Sequence, residues 1–297
     1  MIKKFSYILI LFLLITSCKV KPKEDLSVLG VELEQGNLKI SGQAMDEIIE
    51  NISSPIEMAN IVKDLGVPFS SRYLSSLDNI DNHSSGFKMA YKLGILGADL
   101  GYLNVYKKTG TSVSYLAAIS KISDGLKINQ FFDFNTMKRL ATSNSDIDSL
   151  MYITLHSFNQ MDDHLRVTDR SNLSALMVTG VWIEGMYLTT QVVKEKPDTS
   201  LAQYIGEQKV ILNDILLVLK NYERDPQFAE LIKDLELIKA DFDYVKITYE
   251  MGEPKAIEKD GMLMIVQQEK SIVYIPNDVL SKIIETTARV RNKQLTI

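Results

Sequence analysis

The sequence predicts an all-α protein, a multi-helix bundle with a small C-terminal β-hairpin, and three observations carry that expectation. Apolar residues recur at steps of three and four through most of the chain after residue 43, helix-start signals stand ahead of several periodic runs, and two segments are apolar on every side. At 297 residues the chain is long enough for a substantial core, in one large helical domain or two packed halves.

Residues 1–17 read as a signal peptide. Lys3 and Lys4 precede the apolar run Phe5 to Ile15, about 11 residues where a spanning helix needs about 20. The run closes on Ile15-Thr16-Ser17-Cys18, which resembles the lipobox of bacterial lipoproteins. There, signal peptidase II cuts ahead of a cysteine that becomes diacylated. The resemblance covers this segment alone and implies lipidation of Cys18, the only cysteine in the chain. Acylation would consume a thiol that an oxidising compartment leaves reactive, and two or three acyl chains suffice for stable anchoring. The alternative is an ordinary signal peptide with an incidental cysteine.

Residues 18–42 are expected to form a tether, punctuated by Gly30, Gly36 and Gly42 too often for a long helix. Lys19, Lys21 and Lys23 either lie against anionic headgroups or are solvated. In Gram-negative lipoproteins the residue after the acylated cysteine influences sorting, and Lys19 is not the aspartate associated with inner-membrane retention. The resemblance therefore implies the outer membrane, with the leaflet open. Loss of Lys3 and Lys4 takes the formal charge from −5 to −7. With no basic face of the size phosphate binding needs, nucleic acid is not an expected partner.

The helical domain is expected over 43–297, beginning with helices at about 43 to 65 and 69 to 78. Leu93 to Leu103 and Leu173 to Leu188 are the two all-apolar helices, each carrying one charged residue, Asp99 and Glu184 respectively. Such helices belong in the middle of a bundle. Their glycines (Gly94, Gly97 and Gly101; Gly180 and Gly185) cost helix stability, so close approach of another backbone is the expected gain. Further helices are expected at about 111 to 126 and 135 to 143. Ser145-Asp146-Ile147-Asp148 resembles a capping box opening a helix through Leu150, Ile153, Phe158 and Met161. Ser200 with Gln203 caps a helix over about 201 to 222. Asp225 and Pro226 open the next, whose stripe runs through Phe228, Leu231, Ile232, Leu235, Ile238, Phe242, Val245 and Tyr249. Met262 to Val266 and Ser271 to Ile275 flank Gln267-Gln268-Glu269-Lys270, which reads as a hairpin over about 261 to 275. A last helix, about 278 to 293, has Asn277 as its cap and Arg289, Arg291 and Lys293 near its end, where the helix dipole favours cations.

Sliding the chain by 85 positions sets Asp99 on Glu184, Tyr102 on Tyr187, Leu103 on Leu188, Leu116 on Leu201 and Ala117 on Ala202. Either an old duplication or shared apolar texture explains the overlap. Under duplication, two helical hairpins pack about a pseudo-twofold axis with the acids facing inward.

Those acids are the sharpest chemical feature. An ionised carboxylate in an apolar interior is expensive unless paired, and burial raises its pKa. Two acids together would share a proton or hold a cation. Singly, Asp99 would meet a hydroxyl such as that of Tyr187, and Glu184 an arginine such as Arg139 or Arg170. Both Asp99→Asn and Glu184→Gln are expected to cost stability. A ligand cavity, if present, would use Asp99, Glu184, Trp182, Tyr102 and Tyr187, although Trp182 beside Gly180 and Gly185 also reads as a core plug. His83, His156 and His164 are the only histidines, and with no His-x3-His or His-Glu-x-x-His pattern no metal is expected. No phosphate-loop, dinucleotide or nucleophile-elbow motif is present, so neither a cofactor nor a catalytic residue is assigned.

The chain also resembles all-helical envelope lipoproteins, a likeness that implies no activity. The expected function is that of a lipid-anchored, non-catalytic envelope protein whose helical domain binds another envelope protein. The alternative is a sensor or binder of a small ligand or cation near the acids, and a carboxylate hydrolase ranks below both.

Overall fold

The computed structural model describes residues 31–34, 37–40, 62–63, 66–78, 80, 85–143, 147–252, 254–259, 262–266 and 269–296. Among them are eight α-helices: α1 Gly86–Val105, α2 Thr109–Gly125, α3 Phe134–Ser143, α4 Ile147–Val167, α5 Ser171–Glu195, α6 Thr199–Lys220, α7 Pro226–Phe242 and α8 Asn277–Thr296. The fold is an all-α bundle with a C-terminal β-element.

Its centre is the pair α1 and α5, the two helices predicted to be apolar all round. Every residue from Ala90 to Val105 is buried. A Cβ on Gly94 would lie 1.9 Å from the Met177 carbonyl oxygen, and one on Gly180 would lie 2.2 Å from that of Tyr91. Glycine at both positions is therefore what lets the two backbones touch. Gly86 faces Leu173 and, two turns on, Gly94 faces Met177 and Val181, so the helices run parallel. The offset that aligns these segments in sequence is close to the register in which they meet, and it sets Asp99 level with Glu184. Around this pair, α2 and α4 pack on α1, while α4, α6 and α8 pack on α5; α7 bridges α6 and α8.

Caps follow the sequence at α7, where the Asp225 carboxylate accepts from the Gln227 N–H at 2.8 Å and Pro226 takes the first position. At α6 the cap is Asp198, accepting from the Leu201 N–H, and not Ser200. The earlier start turns Leu201 fully into the core. α7 ends at Phe242, so Tyr249, expected on its stripe, lies instead in a strand and is 61% exposed. The residues proposed to cap α4, Ser145 and Asp146, fall outside the described residues, as does most of the helix expected at 43 to 65.

The C-terminal β-element is one long hairpin path of two successive ladders. β3 Lys246–Met251 pairs with β6 Glu269–Tyr274, and inside it β4 Lys255–Lys259 pairs with β5 Met262–Val266. The two apolar runs expected to face each other therefore lie in the same arm. Lys259 pairs with Met262, and the sequence between them is Asp260-Gly261, the pair favoured in two-residue hairpin turns. A separate small hairpin, β1 Val31–Glu34 with β2 Asn37–Ile40, lies within the stretch read as tether.

The helix expected over residues 69 to 78 does not form. Val67 to Ser70 and Ser75 to Leu77 are without regular structure, around a single 3-10 turn at Ser71–Tyr73. Ser70, Ser71, Ser75 and Ser76 offer the backbone local alternatives to a helix, and bundle side chains take up the backbone groups that a helix would have used.

Candidate functional site

α1 and α5 bring Asp99 and Glu184 into one buried region, each with no solvent exposure. Their partners differ. Arg291 of α8 reaches Glu184 with two donors, Nε at 2.7 Å and Nη2, in a fork-to-fork pair. Its guanidinium lies 4.2 Å over the Tyr187 ring, and Nη2 also donates to the Tyr73 carbonyl at 3.3 Å. Asp99 accepts from Ser75 through one oxygen only, taking the backbone N–H at 3.1 Å and the Oγ hydroxyl at 2.5 Å on Oδ2. Asp99 Oδ1 is buried with no hydrogen-bond partner among the described residues.

Burial holds the Asp99 carboxyl well above the usual carboxylate range, and the Glu184 charge pushes the same way; Ser75 and Arg291 act against them. Burial lowers the pKa of Lys92, opposed by the charges of Asp99 and Glu184. Burial is the largest single influence on the Arg291 charge and disfavours it, but Glu184, Asp99 and Tyr187 together outweigh it and the net shift is upward. Tyr115 and Tyr91 are pushed up chiefly by burial, so both rings stay neutral hydroxyls.

Over this region lies the irregular segment 67–76, and the bundle holds it mostly by its backbone. Tyr106 donates to the Val67 carbonyl at 2.6 Å, and the Ser70 N–H donates to the Tyr102 hydroxyl at 3.0 Å. Tyr115 donates to the Ser75 carbonyl, and Lys92 Nζ to that of Ser76 at 3.0 Å. With the bonds from Arg291 and to Asp99, six side chains engage backbone groups of five residues of this segment. Phe69 stacks on Tyr102 with ring centroids 5.5 Å apart, and Tyr73 is buried.

No protein-family model, curated protein or solved structure matches the chain.

The structure gathers Asp99, Glu184, Tyr102 and Tyr187 around the covered region but turns Trp182 elsewhere. Trp182 is buried, and its indole N–H donates to Gln208 of α6 at 3.1 Å, as a core plug. The partners expected for the acids are replaced. Ser75, and not Tyr187, meets Asp99; Arg291, and not Arg139 or Arg170, meets Glu184. Arg170 instead donates to the Leu126 carbonyl at 2.8 Å. A signal for Arg291 was present, since it stands at spacings of four from Thr287, Ile283 and Val279, on the buried stripe of α8.

The stretch Asp162-Asp163-His164 lies within α4, which continues to Val167. Asp162 is buried between Arg166, at 2.9 Å, and the Ser174 hydroxyl, while the His164 ring packs on Phe131. Among the described residues no three histidine, cysteine, aspartate or glutamate side chains converge as a metal cage, and no helix is long and apolar enough to cross a membrane.

Proposed function

We propose that this chain is a lipid-anchored cell-envelope protein, acylated at Cys18 and held at the outer membrane, whose bundle binds another envelope protein without catalysing a reaction. The N-terminal Ile15-Thr16-Ser17-Cys18 supports the anchor. The observation that carries the binding role is the way the bundle grips segment 67–76. Tyr106, Tyr102, Arg291, Asp99, Tyr115 and Lys92 read an irregular chain through its backbone, which is how proteins hold peptides. The acids support the non-catalytic reading, because Glu184 is engaged by Arg291 and Asp99 by Ser75.

Three measurements test it. Radiolabelled palmitate should enter the protein, and Cys18→Ala should release it from the membrane fraction. Chemical cross-linking of intact envelopes should then capture a specific protein with the wild type; capture no greater than from a strain lacking the protein would defeat the binding role. A small ligand or cation beside Asp99 is the second reading, favoured by the unpartnered Oδ1. Native mass spectrometry of freshly purified protein decides it, through a retained non-protein mass.

A further inference from the structure

We infer that the cleft beneath residues 67–76 is a binding groove for an extended peptide, occupied in cis by this chain's own segment, which a partner's segment displaces. The inference rests on the protein-interaction reading above and names the surface, the ligand chemistry and the device that keeps the surface closed.

Three features point to a displaceable occupant. First, recognition falls on the backbone. The carbonyls of Val67, Tyr73, Ser75 and Ser76 and the N–H groups of Ser70 and Ser75 each meet a bundle side chain. Among the segment's side chains, the Ser75 hydroxyl donates to Asp99 Oδ2, Arg72 pairs with Glu195 of α5 at 3.1 Å, and Lys108 lies 4.7 Å over the Phe69 ring. A groove built this way reads the path of the chain through its backbone and adds side-chain preferences at the places of Phe69, Arg72 and Tyr73. Second, the occupant has almost no regular structure of its own, being one 3-10 turn between irregular stretches. Its leaving breaks no helix or strand and is opposed by the burial of Val67 and Tyr73 in the core.

Third, the fit in cis is incomplete. Asp99 is wholly buried, yet its Oδ1 has no partner, because Ser75 brings both of its donors to Oδ2. A buried carboxyl oxygen without a hydrogen-bond partner is unfavourable whether or not it carries the proton, so a segment supplying a partner there binds better than the resident. This defines the partner's chemistry. It carries an extended stretch with an aromatic residue in the place of Phe69, to stack on Tyr102, and a side-chain amide (asparagine or glutamine), which both donates and accepts, in the place of Ser75. Bound there, it leaves the Glu184–Arg291 pair intact and covers it as the resident does.

The probe is a fluorescein-labelled synthetic peptide of residues 66–78, added to the full chain and followed by anisotropy. Occupancy in cis lowers the apparent affinity of the wild type by the fraction of time the groove is vacant. Ser75→Pro removes both donors to Asp99 and loosens the resident. This variant should bind the peptide at least about tenfold more tightly than the wild type does, and a peptide carrying Ser75→Asn should bind tighter still. Absence of peptide binding to a folded Ser75→Pro variant overturns the proposal. So does weaker binding of the asparagine peptide.

Where Ser75→Pro does not fold, hydrogen exchange of the wild type decides. The amides of Ser70 and Ser75 should exchange at least about 100-fold faster than those of Leu176 to Ile183, by opening of the segment alone. Exchange at the same rate as the core would mean that the segment leaves only on global unfolding. A strap-exchanged dimer, seen by light scattering and excluding the peptide, would make a second copy the occupant and overturn the partner assignment. None of these measurements uses lipid or an envelope partner, so their failure is distinct from failure of the anchored-binder reading.

Discussion

Replacing Glu184 isolates what the buried ion pair does for the fold. In the wild type the Arg291 side chain is 6% exposed and that of Glu184 not at all, so water cannot substitute for a lost partner. The remaining Arg291 contacts are the Tyr73 carbonyl, the Asn292 amide oxygen and the Tyr187 ring, all uncharged. Removing one member of such a pair costs about 3 to 5 kcal/mol. Glutamine keeps one acceptor for the guanidinium and belongs near the lower figure; leucine keeps none and belongs near the upper. With about 2 to 4 °C per kcal/mol for a domain of this size, Glu184→Gln should lower Tm by about 6 to 12 °C, and Glu184→Leu by up to about 20 °C. Trp182, the only tryptophan and fully buried, reports unfolding through its fluorescence. The double variant Glu184→Gln with Arg291→Met should recover more than half of the loss, because it no longer buries an unpaired charge. A single-variant Tm within about 2 °C of wild type, or a double variant below the single, refutes the reasoning.

Asp99 should behave differently. Its carboxyl is held above the ordinary value of about 3.9, so between that pH and its raised value the unfolded chain releases a proton that the folded chain keeps. That contribution favours folding at low pH and fades as pH rises. The Tm of Asp99→Asn minus that of wild type should therefore climb from about pH 4 to about pH 8, and a flat difference would sink the claim. Gly180→Ala places a Cβ 2.2 Å from the Tyr91 carbonyl oxygen and should cost about 3 kcal/mol or more in urea unfolding. Gly110→Ala, with nothing within 4 Å, should be neutral or stabilising by up to about 0.5 kcal/mol, and equal losses at both sites would refute the close-approach argument. Trp182→Phe leaves the buried Gln208 acceptor unpaired and should cost about 1 to 3 kcal/mol by the same measurement, with no loss pointing to a different partner.

Helices were legible where apolar spacing and a strong cap coincided. Asp225-Pro226 announced α7, and Gly94 with Gly180 announced a close helix pair, because both signals are local. Periodicity misled at the end of α7, where Phe242, Val245 and Tyr249 keep helical steps while Lys246 to Met251 already form a strand. The acids Asp99 and Glu184 stood out as lone charges in apolar helices. Their partners did not. Arg291 lies 107 residues from Glu184 and looked like a dipole-stabilising surface cation, although its spacing from Val279 and Ile283 carried the contrary signal. Ser75 sat in a run that reads as helical, and tertiary contacts from α1, α2, α5 and α8 draw that run out.

The parallel meeting of α1 and α5 has a consequence for how the chain acquires its shape. The contacts at its heart join residues about 85 positions apart, so they form only after a long loop has closed, which slows the search. During synthesis at about 5 to 20 residues per second, α1 emerges several seconds before α5 exists to cover it. For that interval a helix with no polar side is exposed, an uncovered apolar surface that a holding chaperone can bind.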